Sequence, residues 1–192
     1  MPMRRHGGFT LLELLVAVAI FILLTALAVP GFQTYFEKSR VRGAADQAIT
    51  LMATARQSAV KFDRSVSVAT TGSNGTWCLG AKEAAEPAFG DPAAAAADCD
   101  CGASASQCTI DGEQQVVDSA TFPGITLTSP ASSLTFDGRL GMRSDADIAD
   151  ANASSFDLTS ASGRYTLTVS ISPLGQASVC SKSGTILGYP SC

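Results

Sequence analysis

Histidine is almost missing from this chain: the only one is His6, within the first eight residues. Ser-His or Cys-His nucleophilic chemistry therefore has no base in the body of the protein. A zinc site is disfavoured on the same ground, and because Cys99-Asp100-Cys101 is a C-x-C rather than a C-x-x-C pair. Positive charge is scarce too. From Asp63 to Cys192 six Lys/Arg face fourteen Asp/Glu, a net of about −8, which ill suits broad contact with phosphate backbones. The acidic stretch "SDADIADANAS", with Asp145, Asp147 and Asp150, lacks the glycine and terminal glutamate of an EF-hand loop and reads as solvated surface. No internal repeat is visible, and carboxylates without a recognisable cleft do not indicate a glycosidase. The chain is expected to be no enzyme and to carry neither cofactor nor metal.

One long apolar run is present. From Phe9 to Val29 every residue is apolar or small except Thr10, Glu13 and Thr25. As a helix, about 21 residues cover roughly 31 Å, the thickness of a hydrocarbon core. A carboxylate there costs roughly 2.5–3.5 kcal/mol by insertion scales, so Glu13 calls for a partner. The run is preceded by "MPMRRHGG", short, basic and without an apolar segment of its own. That inverts the order of an ordinary secretory signal. Cleavage after Gly8 would remove the leader and leave the helix on the mature chain. Arg4 and Arg5 favour a cytoplasmic start, which puts the remainder outside.

Six cysteines, Cys78, Cys99, Cys101, Cys108, Cys180 and Cys192, all follow the apolar run. An even number in a segment delivered to an oxidising compartment reads as three disulfides. Cys99 and Cys101 are poor partners for each other, since a one-residue spacer strains the ring.

Beyond Pro30-Gly31, apolar residues recur at three- and four-residue spacing: Val41, Ala44, Ala45, Ala48, Met52, Ala55, Ala59 and Phe62. That is one face of an amphipathic helix. The reading is one long helix kinked near Pro30, with a membrane half over 9–29 and an amphipathic half over 30–62. From 63 to 192 short alternating stretches bounded by Gly, Pro, Asn or Asp predict antiparallel strands: "SVSVAT", "GTWCLG", "QQVVDS", "GITLT", "SLTFDG", "SFDLTS", "YTLTVSIS" and "QASVC". "SPLGQ" reads as a hairpin turn with Gly175 at positive φ. A cysteine-rich loop is expected over about 81–108. The fold class is α+β: a long N-terminal helix on a small, disulfide-bonded, antiparallel β-rich domain.

Residues 4–62, with "GGFTLLELLVAVAIFILLTALAVPGF", closely resemble the N-terminus of type IV pilins and pseudopilins. The resemblance implies a prepilin leader 1–8, cleavage between Gly8 and Phe9 by a prepilin peptidase, and N-methylation of Phe9. It further implies assembly with other minor and major pilins through the helix, on an inner-membrane assembly platform. Glu13, at the fifth mature position, would then pair with the Phe9 amine of a neighbour, offsetting desolvation that neither charge could bear alone. The stretches "LMATARQSAVKFDRSVSV", "GTWCLG" and "SVCSKSGTILGYPSC" resemble minor pilins of the FimT/FimU kind and the pseudopilin GspH.

That resemblance implies a Cys180–Cys192 pair closing a loop of about 13 residues, worth roughly 3 kcal/mol. It leaves Cys78 with Cys99 or Cys101, and Cys108 with the other. Its functional expectation is a structural subunit of a type IV pilus, in an initiating or tip complex, serving assembly, twitching motility, adhesion or DNA uptake. The alternatives are a GspH-type subunit of a type II secretion system or a DNA-binding minor pilin. Some FimT-like pilins capture DNA through C-terminal arginines, whereas the matching tail here offers only Lys182. Arg139 and Arg143, with Arg164, complete the candidate contacts, and DNA is not an expected partner. The expected location is single-pass in the inner membrane with a periplasmic domain, then in the filament.

Overall fold

The computed structural model describes residues 9–86, 96–130, 132–144 and 154–192. The leader with Gly8, part of the expected cysteine-rich loop and the acidic residues Asp145, Asp147 and Asp150 lie outside the described residues. So do the side chains of 27–30, and with them the expected kink at Pro30.

Helix α1 runs over 52 residues, Leu11–Phe62. It belongs to two compact units, one ending at Phe36 and the other spanning Glu37–Cys192. In the first unit the large apolar residues from Phe9 to Leu24 are exposed on every side of the helix. The helix is long and apolar enough to cross a membrane, with a mean hydropathy of 2.8 in its most apolar window. Inside this run Thr25 returns its hydroxyl to the carbonyls of Phe21 and Ile22 (3.0 and 2.9 Å), so it adds no unpaired polar group.

In the second unit the small residues of α1 face inwards. Val41, Ala44, Ala45, Ala48, Leu51, Met52, Ala55 and Ala59 are all buried. Leu51, at the same helical spacing, also belongs to this face. Phe62 is only half-buried; it lies in the helix's final turn, where the Lys61 ammonium sits 4.5 Å from its ring centre. Alanine at five of these positions lets the helix backbone approach closely, leaving room for larger side chains from the sheets.

Two four-stranded antiparallel sheets supply those side chains. The first has the order β5-β2-β1-β7, formed by β1 (Val66–Ser73), β2 (Thr76–Glu83), β5 (Val116–Asp118) and β7 (Ser133–Phe136). The second has the order β10-β9-β8-β6, formed by β6 (Thr126–Thr128), β8 (Ser154–Thr159), β9 (Thr166–Ile171) and β10 (Ala177–Ser183). A small hairpin, β3 (Thr109–Ile110) with β4 (Glu113–Gln114), turns at Asp111-Gly112, both at positive φ.

Alternation along β8 and β9 sends Phe156, Leu158, Leu167, Val169 and Ile171 into the core. Trp77 is buried with them, its indole N–H donating to the Ile125 carbonyl at 2.8 Å. The architecture is the expected one: a long N-terminal helix on antiparallel sheets with disulfides. The expected loop begins later than 81, because β2 continues to Glu83 through pairing with β1 at Val66. A short 3-10 turn, Ala105–Gln107, lies near the loop's far end.

Candidate functional site

The N-terminal end of α1 is built around Thr10. Its hydroxyl accepts the Glu13 backbone N–H at 3.2 Å, and its carbonyl accepts Leu14 N–H, also at 3.2 Å. A threonine followed three residues later by glutamate is a helix-start pattern. Glu13 thereby stands in the first turn, where the helix dipole favours negative charge. Its side chain is exposed, and among the described residues it has no hydrogen-bond or ion-pair partner. Phe9, 82% exposed, lies four positions before it in sequence. From Phe9 to Phe36 Glu13 is the only charged residue of the sequence.

The cysteines form three disulfides. Cys78 on β2 bonds Cys101, Cys99 bonds Cys108, and Cys180 on β10 bonds Cys192. The first two are buried side by side as a separate small core, with Val116 against them. Gly80 makes room for this core, since a β-carbon there would press on the sulfurs of Cys99 and Cys108. Nearby, Ala96 N–H donates to Ser65 Oγ at 2.9 Å and the Ser67 hydroxyl donates to Asp98. These bonds hold the returning segment against the start of β1.

The third disulfide closes a C-terminal loop that lies on α1. Ile186 is buried in the main core. Arg42 donates to the Leu187 carbonyl, and one helical turn later Asp46 accepts the Tyr189 hydroxyl at 2.8 Å. The Tyr189 phenol is pushed up to about 12, mainly by burial, then by its bond to Asp46 and that residue's negative charge, with Arg42 pulling the other way.

The candidate DNA contacts are not brought together. Arg143 is buried, its backbone N–H bonding Pro173 and its guanidinium donating to the Ile171 carbonyl at 3.2 Å. That removes it from any exposed basic patch: it joins the β7 edge to the end of β9. Lys182 is engaged with Asp157 at 2.6 Å. Arg139 is exposed in the turn after β7, and Arg164 lies in the β8–β9 connection. Burial of Arg143 had no sequence signal, because a lone arginine between turns reads as surface.

An apolar helix with one first-turn carboxylate, continuing into a disulfide-pinned antiparallel β domain, defines a pilin-like protein. The model of the prokaryotic N-terminal methylation motif matches residues 3–29. That of type II transport protein GspH matches residues 44–175, and the chain belongs to this family. It is a family of structural pilin-like subunits rather than of enzymes. Two proteins of Pseudomonas aeruginosa described as fimbrial protein are each 38% identical over 58 residues, 30% of this chain. The chain spans 37% of their length.

Two crystal structures of the type IV minor pilin FimU of P. aeruginosa PAO1 also resemble the chain. One shares 16% identity with a TM-score of 0.48, covering 76% of this chain and 91% of that one. The other shares 17% identity with a TM-score of 0.44, covering 72% and 90%.

Proposed function

We propose that this protein is a minor pilin, a membrane-anchored structural subunit that enters a type IV pilus through α1 and acts in its initiating or tip complex. The observation that carries this reading is the methylation motif over 3–29, continuous with a helix whose apolar side chains are exposed around one carboxylate. The short identity to fimbrial proteins supports it.

Prepilin peptidase would cut between Gly8 and Phe9, giving Phe9 a new α-amino group that N-methylation keeps cationic. In a bundle of axially shifted helices, the Glu13 carboxylate of one subunit meets that amine on the next. Pairing two charges inside the bundle offsets a desolvation cost of several kcal/mol per ion. Before assembly the helix anchors the chain in the inner membrane with the β domain in the periplasm, beside the assembly platform. That is the compartment in which three disulfides form.

The family model's description favours a second reading, a GspH-type subunit of a type II secretion system. Both readings require the same processed helix; they differ in the machine. Mass spectrometry of the mature N-terminus tests the shared part, with a methylated Phe9 expected. An intact Met1, or cleavage beyond the apolar run, would sink both. Deleting the protein then separates them: loss of surface pili and twitching supports the pilus, and loss of exoprotein secretion with pili intact supports the secretion system. A DNA-receptor role is disfavoured by the buried Arg143, the ion-paired Lys182 and the domain's net charge of about −8.

A further inference from the structure

Strand β10 forms an outer edge of its sheet, and its backbone shows which groups remain to be paired. Ser181 turns away from β9: its N–H donates to the Pro190 carbonyl at 2.7 Å and its carbonyl accepts Cys192 N–H at 3.2 Å. By the two-residue period of a strand, Val179 and Ala177 point their backbone groups the same way. The Gln176 carbonyl, accepting Ser172 N–H at 2.9 Å, faces β9 as that period requires. The disulfide-closed tail thus covers one end of the edge and stops, leaving the N–H and carbonyl of Ala177 and Val179 without a strand beside them among the described residues.

A groove of about 360 Å³ adjoins this open stretch, lined by Ile49, Ala53, Arg56 and Gln57 of α1 and by Gly175–Ala177. Exposed apolar residues stand close by: Val60 lies against Gly141, and Leu140 and Leu174 immediately precede Gly141 and Gly175 in the chain. Arg56 binds the rim together by donating from Nε to the Gly141 carbonyl at 3.0 Å. Gly175, at φ 76°, lets its turn lie directly on Gly141, where a side chain would strike that same carbonyl.

Among the described residues Arg56 is the one charged side chain lining the groove. The nearby Asp137 carboxylate is turned onto the backbone N–H groups of Arg139 and Leu140 (3.2 and 2.9 Å).

We infer that this corner is a strand-addition site: an extended segment of a neighbouring filament subunit pairs with Ala177–Val179 and sets an apolar residue in the groove and a carboxylate on Arg56. The unpaired backbone groups supply the affinity, and the alternating side chains supply the choice of segment. The guanidinium selects an acidic strand over a basic one. The inference rests on the filament-subunit reading only for the identity of the partner.

The test uses the full-length chain, isotope-labelled in detergent micelles, titrated with the peptide acetyl-Thr-Val-Thr-Asp-Thr-Val-amide, whose valines and aspartate share one face of an extended strand. At a peptide concentration about ten times its Kd, amide exchange at Ala177 and Val179 should slow by about tenfold. The peptide with lysine in place of aspartate should bind at least about threefold more weakly, and Arg56→Gln should erase that difference. Val179→Pro removes an outward N–H, which an edge strand tolerates, and should abolish binding while the melting curve is kept. Ser178→Pro should instead damage folding, because its N–H faces β9.

No protection at Ala177 and Val179 with millimolar peptide, equal binding of the two peptides to the wild type, or undiminished binding by a folded Val179→Pro variant would overturn the inference. None of these outcomes depends on filaments. Absence of the chain from pili would instead overturn the filament reading.

Discussion

The Tyr189 hydroxyl donates to Asp46 at 2.8 Å, joining the disulfide-closed C-terminal loop to the middle of α1. Together with Arg42 on the Leu187 carbonyl, it ties the last residues of the chain across one turn of the helix. The contact also carries a pH signature.

Because the phenol is held protonated up to about 12 against an ordinary value near 10, the contribution of this contact to stability is complete below pH ~10. It is lost as pH rises through about 12. Stability read from chemical denaturation between pH 9 and 12 should therefore fall more steeply for the wild type than for Tyr189→Phe. Equal slopes would show that the bond does not hold in solution.

Opening the Cys180–Cys192 link by the double serine substitution should cost about 2–4 kcal/mol, read from chemical denaturation under oxidising conditions. Non-reducing peptide mapping of the wild type should recover Cys78–Cys101 and Cys99–Cys108 as separate linked peptides. A Cys78–Cys99 peptide would contradict the structure around Gly80.

Arg143→Ala should destabilise the domain by about 1–3 kcal/mol, since it leaves the buried Ile171 carbonyl short of a donor. Arg139→Ala, in an exposed turn, should stay within about 0.5 kcal/mol of the wild type. Thermal melts of the two variants side by side make the comparison, and equal losses would refute the buried role of Arg143.

Glu13→Gln should leave the melting curve of the β domain unchanged, because the residue belongs to the other compact unit. Incorporation into filaments should drop by about tenfold or more, the subunit remaining in the inner-membrane fraction, as expected when a buried partner amine is left unpaired. Full incorporation of Glu13→Gln would remove the charge-pair account.

All eight stretches expected to form strands contain one, and the turn at Gly175 has the expected positive φ. They were legible because alternation and turn residues act over a few neighbours. The β3–β4 hairpin was not, since two-residue strands carry no period; it forms where Ile110 enters the main core and Asp111-Gly112 supply the positive-φ turn. Spacing rejected Cys99–Cys101 but could not choose between Cys99 and Cys101 for Cys78. That choice depends on which sulfur faces the pleat of β2 at Cys78, a matter of register across a long loop. The small-residue face of α1 was visible apart from Leu51, whereas the half-burial of Phe62 follows from its place at the helix end.

The sequence by itself determined the parts whose physics is local: an apolar helix of membrane length, a carboxylate stranded in its first turn, and a disulfide-rich acidic body. Only the tertiary structure decided that Arg143 serves the core, that the tail lies across Arg42 and Asp46, and that β10 is left part-covered beside a groove. Each of these depends on contacts between residues tens of positions apart, for which no neighbouring pattern in the chain carries a signal.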